Sequence, residues 1–381
     1  MIVSHICPFF GEQMGGSERY VANLLKVQTE DYDTHVYTTT RYRDRVGVSE
    51  FEGALVHRFY SPIQLWNINP VPIMLRSIVA SHSDILHVHS HLYTTSNQAA
   101  VARRMGRAKM LLQLHGGVGP PPFRTALTRL LAKRLYDRTL GAYTLRSGDV
   151  IASVSQSDLD YLASQLSFPV GRLRYVPNVV DTEIFRPVSK TRSSSENVLL
   201  YVGDFEPWKG VGLLVDWIRR WNRHDGHNIT VRFVGQGSFF NELLKLQEEL
   251  KNNGEGVRVE VLGRRMHHEI PSIMHTATAL VMPSYWEGMP TVVLEAMASG
   301  IPVISTAVGH VSAVLRDRET GFVIDHTLAS FERAVSDVLE NDHVVHSITQ
   351  NARALVQEEF SLAVAKRRLD SIYREIPVRT F

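Results

Sequence analysis

The stretch Ala279–Gly300, which reads ALVMPSYWEGMPTVVLEAMASG, joins a short apolar run to a second apolar segment of helical character. Ala279–Met282 predicts a buried β-strand, because the run is short and aliphatic. Pro290 is typical of the first turn of a helix, and Gly300 is typical of a helix end. The stretch therefore predicts a strand, a loop and a helix, which together form the repeating unit of a parallel α/β sheet.

The same alternation continues on both sides of this unit. Further strands are predicted in the second half at Val198–Val202, Ile229–Val234, Val257–Leu262, Pro302–Ser305 and Gly321–Ile324, with helices at Gly210–Arg223 and Phe239–Lys251. Strands are predicted in the first half at Ile2–Ile6, His35–Thr39, Leu55–Phe59, Ile85–His89, Lys109–Leu114, Val150–Val154 and Leu173–Val176, with helices at Ser17–Glu30, Thr94–Met105 and Gln156–Gln165. Two such series predict two parallel sheets, each covered by helices on both faces.

The segment 186–197, RPVSKTRSSSEN, is polar and contains a run of serines, which is typical of a linker. We therefore predict an N-terminal domain over 1–185, a linker over 186–197 and a C-terminal domain over 198–360. A helix within 361–381 follows and is expected to pack back on the N-terminal domain. Ligands of open α/β sheets bind beyond the carboxyl ends of the strands, so we expect two doubly wound, Rossmann-like domains to face each other across a cleft.

Composition excludes several classes of protein. The chain has 381 residues and a net charge of +2, which argues against a general nucleic-acid binder. Its single cysteine, Cys7, rules out an internal disulfide, and no Cys/His cluster has zinc spacing. No apolar run reaches the ~18 residues that span a bilayer, and the first residues lack the pattern of a signal peptide. These features predict a cytoplasmic protein, with contact to the inner membrane face left open.

The predicted helix after Pro290 offers a site for an anion at its N-terminus. The backbone N–H groups of Thr291 and Val292 lie in its first turn, where they have no partner within the helix and can bind a diphosphate. Glu287 precedes the helix and Glu295 lies about one turn into it. A carboxylate beside phosphates would be repelled, so these two would contact sugar hydroxyls. The alternative is an ordinary strand-loop-helix unit with two solvated glutamates.

The setting of these two glutamates, EGMPTVVLEAMASGIPVI, resembles the GT4-type retaining glycosyltransferases (glycosyl transferases group 1). The resemblance extends over nearly the whole chain and implies the GT-B fold. In that family the residue matching Glu295 binds the ribose hydroxyls of a nucleotide, and the residue matching Glu287 contacts the transferred sugar. The resemblance therefore implies an enzyme that transfers a hexose-like sugar from a nucleotide-sugar.

Two segments of the first half also match the family. The turn Gly15-Gly16-Ser17-Glu18 resembles its N-terminal glycine loop, where a lack of side chains lets the backbone approach a ligand. Leu114-His115-Gly116-Gly117 resembles the strand end that carries a histidine beside the donor sugar, which makes His115 the predicted active-site residue of this half. His87-Val88-His89 resembles the histidine-rich strand, and we favour a packing or hydrogen-bonding role for both histidines.

The diphosphate-binding loop of the family is matched by Val202–Gly210, VGDFEPWKG. Lys209 stands at the family's lysine, but Asp204 stands where the family has an arginine. Losing one of two cations could cost ~2–4 kcal/mol of transition-state stabilisation. Three interpretations remain open: another base such as Arg19 or Arg264 compensates, Asp204 orients Lys209, or Asp204 points elsewhere.

Further donor-side residues follow from the resemblance. Gly263 and Arg264 occupy the place where the family's backbone meets the base, and Met289 lies in the loop before the helix at Thr291. His310 stands where the family usually has a second glycine after Gly309, which leaves that loop open to revision.

The resemblance implies retention at the anomeric carbon without a metal ion or other cofactor. Lys209 and the helix N-terminus would stabilise the leaving diphosphate, and no Asp-x-Asp stands in a suitable loop. His115 and Glu287 would position the sugar while Glu295 holds the ribose. The partners would be a UDP- or GDP-sugar and a glycan, lipid-linked or small-molecule acceptor, with no nucleic acid.

Residues 121–146 contain an amphipathic segment with a strong excess of positive charge. Leucines recur at helical spacing, and one acid, Asp137, stands against Arg124, Arg129, Lys133, Arg134, Arg138 and Arg146. Such a helix predicts contact with anionic lipid or with a lipid-linked acceptor. The alternative is an ordinary surface helix whose leucines enter the core.

Two other functions remain compatible with the sequence. A non-catalytic nucleotide-sugar binder is favoured by Asp204 and His310, and the fold alone does not exclude it. An epimerase or a phosphorylase could use the same architecture. A phosphorylase would need a buried lysine for pyridoxal phosphate, and an epimerase would need no acceptor.

Overall fold

The computed structural model describes residues 1–11, 15–65, 69–116, 118, 127–188, 197–221, 228–253 and 256–376, with the backbone alone at 127–130 and 252–253. The chain forms two compact units. Unit 1 comprises Met1–Val179 and Leu362–Phe381, and unit 2 comprises Val180–Ser361. The first boundary therefore falls a few residues before the predicted one, and residues 189–196 of the predicted linker lie outside the described part of the chain.

Unit 1 is built on an eight-stranded sheet. Its strands, with a separate antiparallel pair β5–β6, are β1 (Ile2–Ile6), β2 (Asp33–Thr40), β3 (Gly47–Phe51), β4 (Ala54–Tyr60), β5 (Gln64–Leu65), β6 (Asn69–Pro70), β7 (Ile85–His89), β8 (Lys109–Leu114), β9 (Val150–Ser153) and β10 (Leu173–Tyr175). The order in the sheet is β10-β9-β8-β7-β1-β2-β4-β3, and all neighbours are parallel except β3 and β4. The central strands β7, β1 and β8 bury almost every side chain, as strands covered on both faces do.

Helices cover both faces of this sheet. They are α1 (Gly16–Gln28), α2 (Leu75–Ala80), α3 (Thr94–Met105), α4 (Leu127–Tyr136), α5 (Ala142–Ser147), α6 (Gln156–Gln165) and α14 (Leu362–Glu375). On one face, Tyr20 and Leu24 of α1 and Leu369 of α14 share an apolar core with Val3 of β1. The helix that follows unit 2 in the chain thus belongs to unit 1.

Unit 2 has a six-stranded, wholly parallel sheet in the order β13-β12-β11-β14-β15-β16. Its strands are β11 (Asn197–Val202), β12 (Ile229–Val234), β13 (Val257–Gly263), β14 (Ala279–Met282), β15 (Val303–Thr306) and β16 (Phe322–Ile324). Its helices are α7 (Val211–Arg220), α8 (Phe240–Asn253), α9 (Ile270–His275), α10 (Thr291–Ala298), α11 (Val311–Val314), α12 (Leu328–Glu340) and α13 (Asp342–Glu359). Two apolar cores, one on each face, make this a doubly wound sheet.

Most predicted elements occur within one to three residues of their predicted bounds. The predicted purely parallel sheet of the first half is wrong at its edge, where β3 runs antiparallel to β4. The side chains of Gly47–Phe51 are exposed or half-exposed and polar in part, so no apolar run marks this strand. Polar, short edge strands protect a sheet from pairing with other chains.

Candidate functional site

Lys209 and Glu287 meet beyond the carboxyl ends of β11 and β14, which are neighbours in the sheet of unit 2. Lys209 ends a short 3₁₀ turn after β11, and its Nζ donates to both carboxylate oxygens of Glu287 at 2.8 Å. Gly210 adopts φ 73°, and a Cβ there would lie 1.8 Å from the carbonyl oxygen of Pro283. Glycine therefore lets the two loops pack backbone to backbone, which fixes the lysine beside the glutamate.

The Glu287 carboxylate is buried, with 5% of the residue exposed. It also accepts a hydrogen bond from Ser284 Oγ at 2.7 Å, so each oxygen has a donor. A buried carboxylate without such partners would pay a large desolvation penalty. Of the three N–H bonds of Lys209, the carboxylate oxygens take two, which leaves a third for an incoming anion.

Helix α10 begins where the sequence predicted it to begin. It starts at Thr291, with the extended residue Pro290 at the N-cap, so the proline lies one position before the predicted first turn. The N–H groups of Thr291 and Val292 occupy the first turn, where a helix offers no internal acceptor. Gly300 ends the helix at φ 69°, in the left-handed region that favours glycine.

Glu295 lies on α10 and is paired with a residue that sequence reasoning missed. Its Oε1 is 2.9 Å from Nε2 of His267, and the glutamate is 4% exposed. The His267 ring packs 5.5 Å from the ring of Phe185. His267 comes shortly after β13, and only the predicted loop Gly263–Met266 pointed to that neighbourhood.

The remaining donor-side residues of unit 2 differ in what they offer to a ligand. Gly263 ends β13 at φ 70°, and Arg264 beside it is exposed. Met289 is 6% exposed, and its side chain is part of an apolar core.

Asp204 does not orient Lys209, because Glu287 takes both of the hydrogen bonds found for that ammonium group. The Asp204 side chain is exposed, while its carbonyl oxygen accepts a hydrogen bond from the Tyr201 hydroxyl at 2.8 Å. One of the three interpretations of Asp204 is therefore excluded. The side chain points to solvent at the place where the family has a cation.

The loop at Gly309 requires glycine at its first position. Gly309 has φ 56°, and a Cβ would lie 1.9 Å from the carbonyl oxygen of Glu287. The N–H of His310 donates to the carbonyl of Gly288 at 3.0 Å. Burial lowers the pKa of His310. Only the first position of the pair requires glycine here, so histidine is accommodated at the second.

In unit 1, the predicted glycine loop leads directly into α1. Gly15 is the N-cap residue at φ −79°, and Gly16 is the first residue of the helix. Neither glycine has a positive φ, and a Cβ on Gly16 would meet no atom of the described residues within 4 Å. The open space in front of Gly16 is what a ligand-facing loop needs, whereas strain plays no part. Arg19, offered above as a compensating base, has its Nε buried without a partner among the described residues.

His115 follows β8 and joins a row of histidines. Its Nε2 lies 3.1 Å from Nδ1 of His89, and Nε2 of His89 lies 3.0 Å from Nδ1 of His5. The Tyr20 ring contacts His115 edge-on at 5.0 Å. Gly116 beside it adopts φ 95°, and Gly117 lies outside the described residues. His87 and His89 are thus buried and hydrogen-bonded, as favoured from the sequence.

These histidines are neutral near neutral pH. Burial lowers the pKa of His115 to about 4 and that of His5 to about 4, with the hydrogen bond to Gln28 opposing the shift in His5. Burial lowers the pKa values of His87 and His89 well below the ordinary value, and neighbouring histidines add to the effect. A protonated ring at His5, His87 or His89 would need solvent that this buried face of the sheet does not supply.

His5, His87 and His89 have ring nitrogens within 4.8 Å of one another, a spacing that would admit a metal ion. However, the facing nitrogens of His5 and His89 are 3.0 Å apart, which is a hydrogen-bond distance, and their other nitrogens are engaged by Gln28 and His115. Metal ligands would instead direct their lone pairs at one point. We therefore describe the cluster as a hydrogen-bonded chain.

The amphipathic segment is described in part. Residues 119–126, including Pro121 and Arg124, lie outside the described residues. In α4, Leu131 is 53% exposed and Leu135 is 67% exposed, so these two leucines do not enter the core as the alternative interpretation required. Among the described helices, none combines the length and the apolar character needed to cross a bilayer.

Family comparisons agree with the motifs. Residues 14–184 match the family described as Glycosyltransferase Family 4, and residues 183–355 match the family described as Glycosyl transferases group 1. The chain is 24% identical over 371 residues to the uncharacterized glycosyltransferase MJ1178 of Methanocaldococcus jannaschii, covering 95% of both chains. It is also 24% identical over 342 residues to the UDP-Gal:alpha-D-GlcNAc-diphosphoundecaprenol alpha-1,3-galactosyltransferase of Escherichia coli, covering 85% of both.

A solved structure shares the fold. Anabaena Alr3699/HepE in complex with UDP superposes with a TM-score of 0.77 at 17% identity, covering 99% of this chain and 100% of the other. The two family matches together extend from residue 14 to residue 355 and include every strand of both sheets except β1. The chain therefore belongs to the GT4-type glycosyltransferases, the glycosyl transferases group 1, and has the GT-B fold of two Rossmann-like domains.

Proposed function

We propose that this glycosyltransferase retains the anomeric configuration and transfers a sugar from a UDP- or GDP-sugar without a metal ion. The observation that carries the proposal is the Lys209–Glu287 pair beside the loop that leads into α10. Departure of a nucleoside diphosphate needs positive charge close to the phosphates. Lys209 supplies a full charge, and the first turn of α10 supplies backbone N–H groups and the positive end of a helix dipole.

In the proposed mechanism the two acidic residues have separate tasks. Glu287 neutralises the charge of Lys209 and accepts two of its N–H bonds. Because Glu287 is also buried, it is held in place for contact with the transferred sugar. The third N–H of Lys209 binds the diphosphate without loss of the ion pair. Glu295, anchored by His267, holds the ribose. His115, a neutral imidazole, accepts or donates a hydrogen bond to the sugar. The acceptor hydroxyl attacks from the face on which the diphosphate leaves, and the departing phosphate takes its proton.

Contact with a membrane surface is supported by basic side chains at the end of α3, between α4 and α5, and on α5. Arg103, Arg104, Arg138 and Arg146 line a shallow cavity of ≈ 400 Å³. Arg103 is paired with Asp149, and Leu140 of the neighbouring segment is exposed. Basic side chains with exposed aliphatic neighbours are typical of a surface that binds anionic lipids. The Escherichia coli relative acts on a diphosphoundecaprenol-linked sugar, as its name states. We propose a lipid-linked acceptor at the cytoplasmic face of a membrane.

The test is release of nucleoside diphosphate from a panel of UDP- and GDP-sugars with lipid-linked and free acceptors. We expect turnover that survives excess EDTA and a product with the donor's anomeric configuration. Lys209→Ala should lower kcat by about 10²-fold or more, because one preorganised charge at the leaving group is lost. Lys251→Ala, which removes a lysine from a surface pair with Glu248, is the matched control.

Since Lys209→Ala leaves the Glu287 carboxylate without its cation, the double variant Lys209→Met/Glu287→Gln separates chemistry from folding. It restores neutrality and should remain folded by circular dichroism while staying inactive. Wild-type turnover in that variant, loss of activity with EDTA, or an inverted product would each contradict the proposal. Binding of donors with no turnover in the wild type would favour the non-catalytic interpretation. Product without any acceptor would favour an epimerase.

A further inference from the structure

A chain of side-chain hydrogen bonds runs from Gln28 on α1 to His115 after β8. Gln28 Oε1 lies 2.8 Å from Nε2 of His5, and the chain continues through His89 to His115 with the spacings of 3.0 and 3.1 Å given above. Gln28, His5 and His89 are 0–1% exposed. The register explains the alignment, because His5 pairs with His87 across β1 and β7, and His89 pairs with Gln113 across β7 and β8.

The direction of each hydrogen bond follows from the first. A carbonyl oxygen only accepts, so His5 must carry its proton on Nε2, and a neutral His5 then has a bare Nδ1. That Nδ1 accepts from Nε2–H of His89. By the same step, the bare Nδ1 of His89 accepts from Nε2–H of His115. One amide oxygen thus specifies the tautomer of three successive rings, as a second partner of each imidazole generally does.

The other end of the Gln28 amide is also held. Its nitrogen donates to the Tyr373 hydroxyl at 3.1 Å, and that hydroxyl lies 2.7 Å from Nδ1 of His87. The hydroxyl then donates to His87, which carries its proton on Nε2. That nitrogen is buried without a partner among the described residues, on the same sheet face as the unpartnered acceptor Oε1 of Gln113. The helix α14 therefore fixes the amide from the side opposite to His5.

We propose that Gln28 is a positioning residue that sets the tautomer of His115 through His5 and His89, so that His115 presents Nδ1 as a hydrogen-bond acceptor. The inference rests on the proposed role of His115 beside the donor sugar. Nδ1 of His115 receives no hydrogen bond from the described residues, which leaves it for a sugar hydroxyl. A ring with the opposite tautomer would offer a donor at the same place, which reverses the hydrogen bond and takes up a lone pair of the sugar hydroxyl instead of its proton.

The tautomers are read directly from ¹⁵N-histidine spectra of the full chain, with His115 assigned by the loss of its signals in His115→Ala. We expect the wild type to carry the His115 proton on Nε2 between pH 6 and pH 8. Gln28→Met, which keeps the length of the side chain and removes both hydrogen bonds, should give a mixture of tautomers at His115. Gln113→Met is the control, because Gln113 is equally buried on the same sheet face but is not part of the hydrogen-bond chain. It should leave the tautomer of His115 unchanged.

Kinetics give the consequence for the reaction. We expect Gln28→Met to lower kcat about tenfold with the donor KM within about twofold, less than the loss caused by His115→Ala, because the ring remains but spends part of its time in the wrong tautomer. Gln113→Met should keep kcat near the wild-type value.

Three outcomes overturn the inference: a wild-type His115 proton on Nδ1, an unchanged His115 tautomer in Gln28→Met, or the same tautomer shift in Gln113→Met. A further result would distinguish a failure of the proposed function from a failure of the hydrogen-bond chain. If the spectra are as expected and His115→Ala turns over like the wild type, the role of His115 at the sugar is wrong while the tautomer assignment stands.

Discussion

In unit 2, Glu287 and Lys209 form a pair in which each residue has a purpose of its own. The glutamate compensates the lysine's charge in the absence of ligand, and in the proposed function the third N–H of the lysine binds a phosphate. An isolated buried charge would destabilise the loop, and a fully coordinated one would be unable to bind. The arrangement fits a site that must remain folded when empty.

Asp204 is the residue at which a gain of function is expected. It places a negative charge where the family has an arginine, and its side chain is exposed. Asp204→Arg should raise kcat/KM about tenfold, since it removes a repulsion and adds a cation for the diphosphate. Steady-state kinetics with the preferred donor would measure the change.

Asp216→Arg is the control for Asp204→Arg, because Asp216 is an exposed acid on α7 and the change in net charge is the same. Equal gains in both variants would mean that overall charge, rather than the position in the loop, steers the donor. A fall in activity of Asp204→Arg would show that another group already occupies the arginine's place.

At the scale of elements, α4 presents an apolar stripe to the outside. Leu131 and Leu135 are one helical turn apart and more than half exposed. Replacing both with serine should weaken binding to vesicles of phosphatidylglycerol and phosphatidylcholine by about tenfold or more, since each buried leucine contributes about 1.5–3 kcal/mol. Cosedimentation at low and high salt would measure the binding.

The control for this helix is a double substitution of Leu166 and Val170 with serine, because both residues are exposed elsewhere in unit 1. Binding of the control should match the wild type, and wild-type binding should fall as salt is raised. If the α4 variant binds as well as the wild type, α4 is an ordinary surface helix.

The elements themselves were largely predictable, and the reasons are physical. Strands such as Ile85–His89 are short and covered on both faces, so their pattern stands out even with two histidines included. The edge strand Gly47–Phe51 is exposed and gives no such signal. Helices α12 and α13 were missed, although in α13 Ile348, Ala352 and Val356 follow helical spacing.

The site was predictable where it depends on which loop directly follows which strand in the sequence. Lys209 and Glu287 each follow a strand, so their loops could be placed at one edge of the sheet. Their mutual hydrogen bonds, and the contact of His267 with Glu295, depend on how distant loops pack. The sequence carried a signal for His5 that we overlooked. Alternate residues of a strand lie on one face, so Val3 and His5 share a face, and the histidines of β7 alternate in the same way.

At the scale of the whole molecule, stability should depend on pH through unit 1. Burial lowers the pKa values of His5, His87, His89 and His115, and it lowers that of His91 to about 3. The unfolded chain therefore binds protons, as pH falls below about 6.5, that the folded chain does not bind. The contribution of these histidines to the free energy of unfolding has its full value above that pH and decreases toward pH 4.

Each such histidine contributes a slope of about 1.4 kcal/mol per pH unit within this window. Amide hydrogen exchange of β1 and β7 at pH 7, 6 and 5 would measure the loss after correction for the intrinsic rate. His91→Asn should reduce the slope by about one proton, whereas His82→Asn, at an exposed position, should not change it. A flat profile from pH 7 to pH 5 would contradict the neutral state of the histidine row.

The split of unit 1 into two pieces of chain has a consequence for synthesis. Leu369, Ile372 and Tyr373 of α14 cover the face that holds Gln28, but they are translated only after all of unit 2. A nascent chain on the ribosome thus carries the first sheet with one helix position empty and an apolar face open to water. The half that is made first is completed last, so a premature stop before codon 362 would leave unit 2 whole and unit 1 without its cover.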